Sequence, residues 1–376
     1  MADVKQIYEI VNSITEQALG TKGLTPTDVS FVSVGKNVLS SEVNKELWYK
    51  TLFDRIAKTV IAVKAYTANT MAMRKEGVEY GIAVQKLSYG LLTAKENTSW
   101  KDQASNPFAK FNDNKVVQMI FSDFTTWEID MSVPDIQLKT AFTSAVAMGA
   151  FINGLMTTLH NSMEFKIEQM SNLCMASYIA RKSVEGGLKY VNLLHDYNTA
   201  TNSSLTVESC LKDVDFLKYA SMTINTYSSR MTRFSKLFNN GEVERFTAKE
   251  SQNLTVLDYF ANACKFYLQA DTFHKELVSL PNYNETPFWQ GSGTSYSFAD
   301  VSSIKVQLEN AGSETSVTGI VAVLNDVDGL GITVDNRRTT TAYNSKDEFV
   351  NYFAKADIGY YNDMTENGIV FYLAEA

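Results

Sequence analysis

Apolar and small residues repeat every three or four positions through the middle of the chain, which places them on one face of an α-helix. We call this element the spine helix and predict it from Asp135, a helix-capping residue type, to about Arg181. Unbroken, it would be roughly 70 Å long at ~1.5 Å per residue. Gly149 and Gly154 are positions for a bend. The face comprises Leu138, Phe142, Val146, Gly149, Ile152, Leu155, Leu159, Met163, Ile167, Met170 and Cys174.

The distribution of proline favours this long helix. Proline interrupts helices and sheet ladders, and none occurs in residues 135–280. The chain holds 5 prolines, at Pro26, Pro107, Pro134, Pro281 and Pro287.

Other elements follow from shorter patterns. Strict alternation predicts half-buried strands at residues 127–133 and 304–309, and the apolar run 319–324 predicts a fully buried strand. Residues 3–19 form an amphipathic helix pattern, residues 242–280 a second helical zone, and residues 281–297 a loop. We expect residues 368–373 to close the chain in a hairpin with the segment before Asn362.

Residues 58–115 form a pattern of their own. Segments rich in β-branched and aromatic residues, 60–66 and 80–89, precede a polar turn at 112–114, which predicts a long β-hairpin arm. The arm contains nine basic and five acidic residues. It therefore carries a net charge of +4, and the rest of the chain carries −12.

Composition bounds the class of protein. With 45% hydrophobic and 20% charged residues, the chain can bury a large core, and 376 residues correspond to about two to three domains. The 3 cysteines exclude a disulfide scaffold and fit a reducing compartment. A net charge of −8 argues against tight nucleic-acid binding. We expect no signal peptide and no membrane span, because the N-terminal residues are polar and the apolar run 141–152 is too short.

Residues that could carry chemistry are sparse. The histidines lack metal-ligand spacing, no Cys-x-x-Cys motif occurs, and neither a phosphate loop nor a nucleophile elbow is present. We expect Cys174 to pack in the core and His160 to form a structural hydrogen bond. The sequence predicts no catalytic, metal or cofactor-binding site, hence no enzyme. The candidates considered are His160, His195, His274, Cys174, Cys210 and Cys264.

Two charged segments lie in the last third of the chain. Residues 325–329 resemble a calcium loop, but its first position would be Leu324 and its last Asp335, so an acidic turn is the better interpretation. Arg337 and Arg338 fit two interpretations equally well. They either grip a carboxylate across an interface or lie at a solvated strand end.

In its order of elements the chain resembles the major capsid protein of tailed double-stranded DNA bacteriophages, with the Hong Kong 97-type fold. Similar stretches lie in the N-terminal arm and in the C-terminal half. The acidic turn departs from the pattern of that family, since Val327 and Gly329 stand where the family usually has Arg and Ala. The stretches are 33–47, 53–56, 288–293, 319–323, 326–331, 337–338, 343–344 and 361–372.

The resemblance implies an α+β fold in four parts. These are an N-terminal arm at 1–57, the β-hairpin E-loop at 58–115, a peripheral domain with the spine helix at 116–190 completed by 337–376, and an axial A-domain at 191–336. The implied function is the structural subunit that self-assembles through hexamers and pentamers into an icosahedral head around the phage DNA. The implied location is the virion, with assembly in the host bacterial cytoplasm.

The resemblance also implies partners. These are further copies of the chain, a separately encoded scaffolding protein or none, portal and minor capsid or head–tail connector proteins, weak non-specific contact with packaged DNA, and no membrane. The alternatives are a nanocompartment shell, which shares the fold, and a tail-tube protein, which would be mainly β and lack the spine helix.

The element pattern and the resemblance both predict assembly with further copies of the chain. An arm and a protruding hairpin cannot bury their apolar residues alone, so we expect both to lie on neighbouring subunits. The opposite charges of hairpin and body favour head-to-tail contacts that weaken as salt rises. Changing Lys86, Lys95 and Lys101 together to glutamate should leave subunits folded but unassembled. The predicted intersubunit contacts are Lys86, Lys95, Lys101, Asp326, Asp328, Arg337 and Arg338.

Overall fold

A computed structural model of the chain describes residues 4–20, 28–58, 66–75, 84–94, 96, 115–122, 124–241, 243–268, 282–290, 297–308 and 313–375. The helices, α1 to α10, are Val4–Leu19, Asp28–Val38, Glu42–Lys58, Asp135–Ala141, Ala145–Glu185, Leu193–Thr201, Val207–Cys210, Val214–Met231, Asp258–Leu268 and Phe298–Val301. The strands, β1 to β13, are Arg74–Lys75, Val84–Tyr89, Val116–Phe121, Phe124–Pro134, Tyr190–Asn192, Gln252–Leu257, Asn282–Thr286, Ile304–Val306, Thr315–Val317, Ile320–Asp326, Leu330–Asn344, Phe349–Asn362 and Gly368–Tyr372.

The spine helix is α5, Ala145–Glu185, about 60 Å long at ~1.5 Å per residue. The prediction of one continuous helix from Asp135 is wrong, because the short helix α4 ends at Ala141. The chain restarts at Ser144, whose hydroxyl accepts a hydrogen bond from the backbone N–H of Ala147 at 3.2 Å. A serine that caps a helix competes with helix continuation, which explains the break. Pro134, rather than Asp135, is the N-cap of α4.

A four-stranded sheet, in the order β1-β11-β12-β4, covers one side of the spine helix. Strand β4 alternates as predicted, with Val133 buried and Trp127, Ile129 and Met131 half-buried. The long pair β11–β12 has a register shift between Asp335 and Arg338, a bulge that turns the side chains there away from the regular ladder.

A five-stranded sheet, in the order β5-β13-β10-β6-β7, forms a second lobe with the helices α6, α8 and α9. Strand β10 is fully buried, as predicted for this segment. The expected hairpin of the last strand with the segment before Asn362 is wrong. Strand β13 instead pairs with β10 and β5, because the turn after Asn362 redirects the chain to the other sheet. Burial on both faces suits such a central strand.

Two regions of this lobe contain strands where a helix and a loop are expected. Residues 252–257 form the fully buried strand β6, before α9 begins at Asp258. Residues 282–286 form β7, which pairs in parallel with β6. Buried polar side chains hid strand β6 from pattern analysis: Gln252, for example, is buried and hydrogen-bonded to Ser228.

The N-terminal helices pack on their own subunit. Val11 and Ile14 of α1 and Trp48 and Leu52 of α3 are buried in one cluster with the start of the spine helix. The expectation that the N-terminal arm buries its apolar residues only on neighbouring subunits is therefore wrong for its described part. Tryptophan and the small hydrophobic residues of α1 supply enough apolar surface to hold the helices in place.

An ion pair joins the N-terminal arm to the rest of the subunit at the start of α4. The Lys45 ammonium lies 2.6 Å from a carboxylate oxygen of Asp135, and the Tyr343 hydroxyl donates to the same oxygen at 3.0 Å. Asp135 is buried, so the carboxylate joins α3, α4 and β11 instead of capping a helix.

Candidate subunit-contact surface

The segment predicted as the E-loop, residues 58–115, is described in part. Its residues 66–75 lie on the body of the same chain, where Met71 and Met73 are buried and β1 pairs with β11, so they are not part of a hairpin as predicted. Its residues 84–89 form a two-stranded ribbon with β3. Strands β2 and β3 pair antiparallel, with Lys86 opposite Met119 and Tyr89 opposite Val116. The second strand, Val116–Phe121, lies beyond the boundary predicted at residue 115. We call the two strands the hairpin ribbon. Lys95 and Lys101 lie outside the described residues, as do residues 97–114.

The inner face of the hairpin ribbon rests on its own subunit. The ring of Phe121 stacks on that of Tyr361 with centroids 4.8 Å apart. The Thr365 hydroxyl lies 3.6 Å from the Met119 sulfur, and the Arg245 guanidinium donates to the Ser88 hydroxyl. The expectation that residues 58–115 meet only neighbouring subunits is thus wrong for this part of the arm.

The outer face of the hairpin ribbon is apolar and exposed. Alternation along both strands turns six side chains outward, four of them apolar and two amides, so the face carries no charge. The four apolar side chains, Leu87, Tyr89, Val116 and Ile120, are 50–60% exposed. Leu91 and Leu92 continue the exposed surface past the end of β2. A mainly apolar, uncharged and exposed face of this kind is typical of an interaction site.

Lys86 points inward, to an acidic region of its own subunit. Its ammonium lies 2.7 Å from a carboxylate oxygen of Glu366 and 3.0 Å from one of Asp363, and it donates to the backbone carbonyl of Asp328 at 3.3 Å. Burial lowers the pKa of Lys86, but the attraction of Glu366 and Asp363 outweighs it, so the pKa is raised overall. Lys86 is therefore charged at neutral pH.

The acidic turn predicted at residues 325–329 is confirmed. Asp326 caps the 3-10 turn Val327–Gly329, accepting from the Asp328 N–H at 2.9 Å and from the Thr247 hydroxyl at 2.8 Å. Asp326 is buried, and burial raises its carboxyl pKa. Asp328 is mostly exposed and pairs with the Lys75 ammonium at 3.1 Å.

Arg337 and Arg338 both grip carboxylates, and in the described chain these are their own. The bulge in β11 brings the Arg337 guanidinium to 3.6 Å from Glu164 of the spine helix. Arg338 lies 2.8 Å from Asp357, whose carboxyl pKa falls to about 2, mainly through this hydrogen bond. Both guanidinium groups remain well exposed.

The structure thus brings Lys86 and Asp328 together and leaves Arg337 and Arg338 at a separate place, the bulge of β11, where they face Glu164 of the spine helix and Asp357 of β12. The role of all these residues between subunits stays a prediction. Sequence analysis missed their intrachain partners because these come from segments far apart in the chain with no shared motif. The missed partners are Lys75, Glu164, Asp357, Asp363 and Glu366.

The residues considered for catalysis have structural surroundings. Cys174, Cys210 and Cys264 are buried, and burial raises the pKa of each thiol to about 12. The His160 ring lies 3.1 Å from the backbone carbonyl of Tyr66, consistent with the expected hydrogen bond.

Within the described ranges, no group of three or more acidic, histidine or cysteine side chains could hold a metal ion. None of the described helices has the length and apolarity to cross a bilayer.

Comparison with known proteins identifies the family. The family model described as Phi29-like phage major capsid protein matches residues 11–372. The chain belongs to this family. No curated protein sequence matches this capsid protein.

Solved structures show the fold of this capsid protein. The capsid structure of Staphylococcus phage Andhra matches with a TM-score of 0.57 and 10% identity, over 84% of this chain and 86% of that chain. A chain in the structure of the head fiber and inner core protein gp22 of native bacteriophage P68 matches with a TM-score of 0.53 and 9% identity, over 84% and 86%. The predicted α+β fold of the Hong Kong 97 type is confirmed, and so is the function of a phage major capsid protein, located in the virion. The nanocompartment alternative is not favoured.

Proposed function

We propose that this capsid protein builds an icosahedral head from hexamers and pentamers, and that the outer face of the hairpin ribbon is one of the contacts between copies. The observation that supports this is the exposed, uncharged apolar face formed by Leu87, Tyr89, Val116 and Ile120. A two-stranded ribbon alone is marginally stable. Here its inner face is anchored, so the outer face is presented in a defined orientation.

Opposite charges on the arm at residues 58–115 and on the rest of the chain favour one orientation of this contact. The arm at residues 58–115 carries +4 and the rest of the chain −12, so the arm of one copy is attracted to the body of the next. A contact between two different surfaces is heterologous, and repeated around an axis it closes into a ring. Lys95 and Lys101 stay the proposed steering charges, with Asp328 as an exposed acidic contact on the body. Arg337 and Arg338 stay proposed contacts to carboxylates of a neighbouring copy, since both guanidinium groups remain exposed beside their own carboxylates. Lys86 and Asp326 are mostly buried within the subunit.

The remaining partners follow from the role of a head subunit. We propose assembly in the host bacterial cytoplasm, with a scaffolding protein, a portal and head–tail connector proteins as partners. Contact with the packaged DNA is weak and non-specific, because an acidic chain repels phosphates. The family of structural subunits, together with the buried cysteines, supports a protein without enzymatic activity.

A double substitution tests the contact. Leu87→Gln with Ile120→Gln makes the outer face polar and leaves the inner face unchanged, so we expect folded subunits that fail to form particles. Met222→Gln, on an equally exposed methionine of α8 in the other lobe, is the matched control and should assemble normally. Sedimentation and negative-stain electron microscopy of the expressed chain measure the outcome. Normal particles from the double variant would contradict the proposed contact. A wild-type chain that stays monomeric at high concentration would contradict self-assembly without the scaffolding protein.

A further inference from the structure

We propose that Lys86 is a positioning residue, which fixes the angle of the hairpin ribbon through a latch formed with Arg245, Asp363 and Glu366. The inference rests on the proposed function, because it concerns how the ribbon is presented to the next copy. It differs from the sequence-based expectation, in which Lys86 contacts a neighbouring subunit.

The four latch residues form a compact, electrically neutral group. The Lys86 ammonium lies 3.0 Å from Asp363 and 2.7 Å from Glu366, and the Arg245 guanidinium lies 3.5 Å from the same oxygen of Glu366. Both carboxylates are buried, and both cations are mostly buried. Two positive and two negative charges therefore balance in a region with little water.

The body side of the latch is held firmly by backbone hydrogen bonds. The Asp363 N–H donates to the Gly329 carbonyl at 2.7 Å, and the Asn240 N–H donates to the Met364 carbonyl at 2.9 Å. The Gly368 N–H donates to the Phe238 carbonyl at 2.9 Å. The turn that carries the two carboxylates is thus tied to the acidic turn and to the loop before Arg245. It is a fixed platform.

Among the described residues, the ribbon makes few other contacts that could set an angle. Besides Lys86, its inner face presents Ser88, Val117, Met119 and Phe121. Phe121 stacks on the Tyr361 ring, and the Met119 sulfur is a weak acceptor for the Thr365 hydroxyl, so neither contact fixes a direction as an ion pair does. Buried ion pairs are directional, and one partner left alone in a buried place is strongly disfavoured. Lys86, near the middle of β2, therefore selects one orientation of the ribbon.

Arg245 extends the latch to the neighbouring position on β2. Its guanidinium donates to the Ser88 hydroxyl as well as facing Glu366. Lys86 and Ser88 are two residues apart on one face of the strand, so two points on β2 are fixed rather than one. Two fixed points define the direction of a strand, and with it the direction of the apolar outer face.

Amide hydrogen exchange on the unassembled chain tests the latch. Lys86→Met keeps the length and apolar stem of the side chain but removes its charge. We expect exchange at least tenfold faster in residues 84–89 and 116–121, with unchanged protection in β10 and β13. Lys86→Arg should keep most of the protection. Lys212→Met, which removes an exposed lysine on the other lobe, is the matched control and should change nothing. Unchanged exchange in the ribbon of Lys86→Met would overturn the proposal.

The assembled products test the positioning. We expect Lys86→Met to give particles of mixed diameter or open sheets, since the outer face is no longer held at one angle, whereas Lys212→Met gives the wild-type product. Uniform particles of wild-type diameter from Lys86→Met overturn the positioning role even where exchange is faster. Failure of the wild-type chain to assemble contradicts the proposed function instead, and the exchange comparison still decides the latch.

Discussion

Charged side chains in this capsid protein are used first within the subunit. Arg337 and Arg338 illustrate this, since both were expected at an interface or in solvent, and both reach carboxylates of their own chain. Residue type alone predicts that an arginine will pair with a carboxylate. It does not predict which carboxylate. Glu164 is on the distant spine helix, and the bulge at Asp335–Arg338 directs Arg337 toward it.

Lys182 shows how burial changes a charged residue. Its side chain is completely buried in the spine helix, and its ammonium donates to the Phe238 carbonyl at 3.3 Å. Burial is the main reason that its pKa falls from 10.5 to about 8. Since the unfolded chain keeps the ordinary pKa, it binds more protons than the folded chain between about pH 8 and 10.5. Stability attributable to Lys182 therefore rises with pH across this window.

Lys182→Met tests this linkage. The variant removes the buried charge, and the Phe238 carbonyl keeps its hydrogen bond from Gly368, so we expect greater stability than wild type at pH 7, by up to about 3 kcal/mol. The advantage should shrink as pH rises from 8 to 10. Urea unfolding of the unassembled chain at a series of pH values measures it, with Lys212→Met as the control. A constant difference across the series would show that folding does not lower the pKa of Lys182.

At the scale of elements, periodic apolar patterns predicted well and polar strands did not. The spine helix, β4, β8 and β10 all follow from the spacing of apolar residues. Strand β6 contains Gln252, Asn253 and Thr255, all buried, and no rule of spacing distinguishes buried polar residues that are satisfied by hydrogen bonds from exposed ones. The pairing of β13 depends on the turn at residues 363–367, whose buried Asp363 and Asn367 bind distant segments.

The sequence also did not predict where the N-terminal helices pack. An amphipathic helix must bury its apolar face, but its pattern does not say on which molecule. The structure supplies the answer through Trp48, which is buried and donates to the Thr15 hydroxyl at 3.3 Å, joining α3 to α1. The described part of the N-terminal arm therefore belongs to the folded subunit.

Trp48→Ala measures what this packing contributes. The substitution opens a large cavity between α1, α3 and the spine helix, and we expect the unassembled chain to lose about 3–5 kcal/mol of unfolding free energy. Val43→Ala, on an exposed residue of the same helix, should change it by less than about 0.5 kcal/mol. Chemical denaturation measures both. An unchanged stability of Trp48→Ala would indicate that the arm is ordered only by neighbouring copies.

At the scale of the whole molecule, the sequence predicted a protruding hairpin but not its two unlike faces. Charge counting and β-branched segments identify the arm, and the alternation of β2 and β3 separates inner from outer side chains. Which face meets the body depends on Lys86 finding Asp363 and Glu366 across more than 270 residues of chain. In the proposed function, the apolar residues of the outer face form the contact between copies, and Lys95 and Lys101 steer it.

The steering charges predict how assembly depends on salt. Lys95→Glu with Lys101→Glu changes the net charge of the arm from +4 to 0 and spares the latch, so we expect folded subunits that assemble slowly. Wild-type assembly, followed by light scattering, should slow between ~50 and ~500 mM salt, because exposed charges are screened over shorter distances. The double variant should show little further slowing. Lys212→Glu with Lys236→Glu makes the same change of net charge on the body, and an equal loss of rate in that control would mean that total charge governs assembly, not attraction between the arm of one copy and the body of the next.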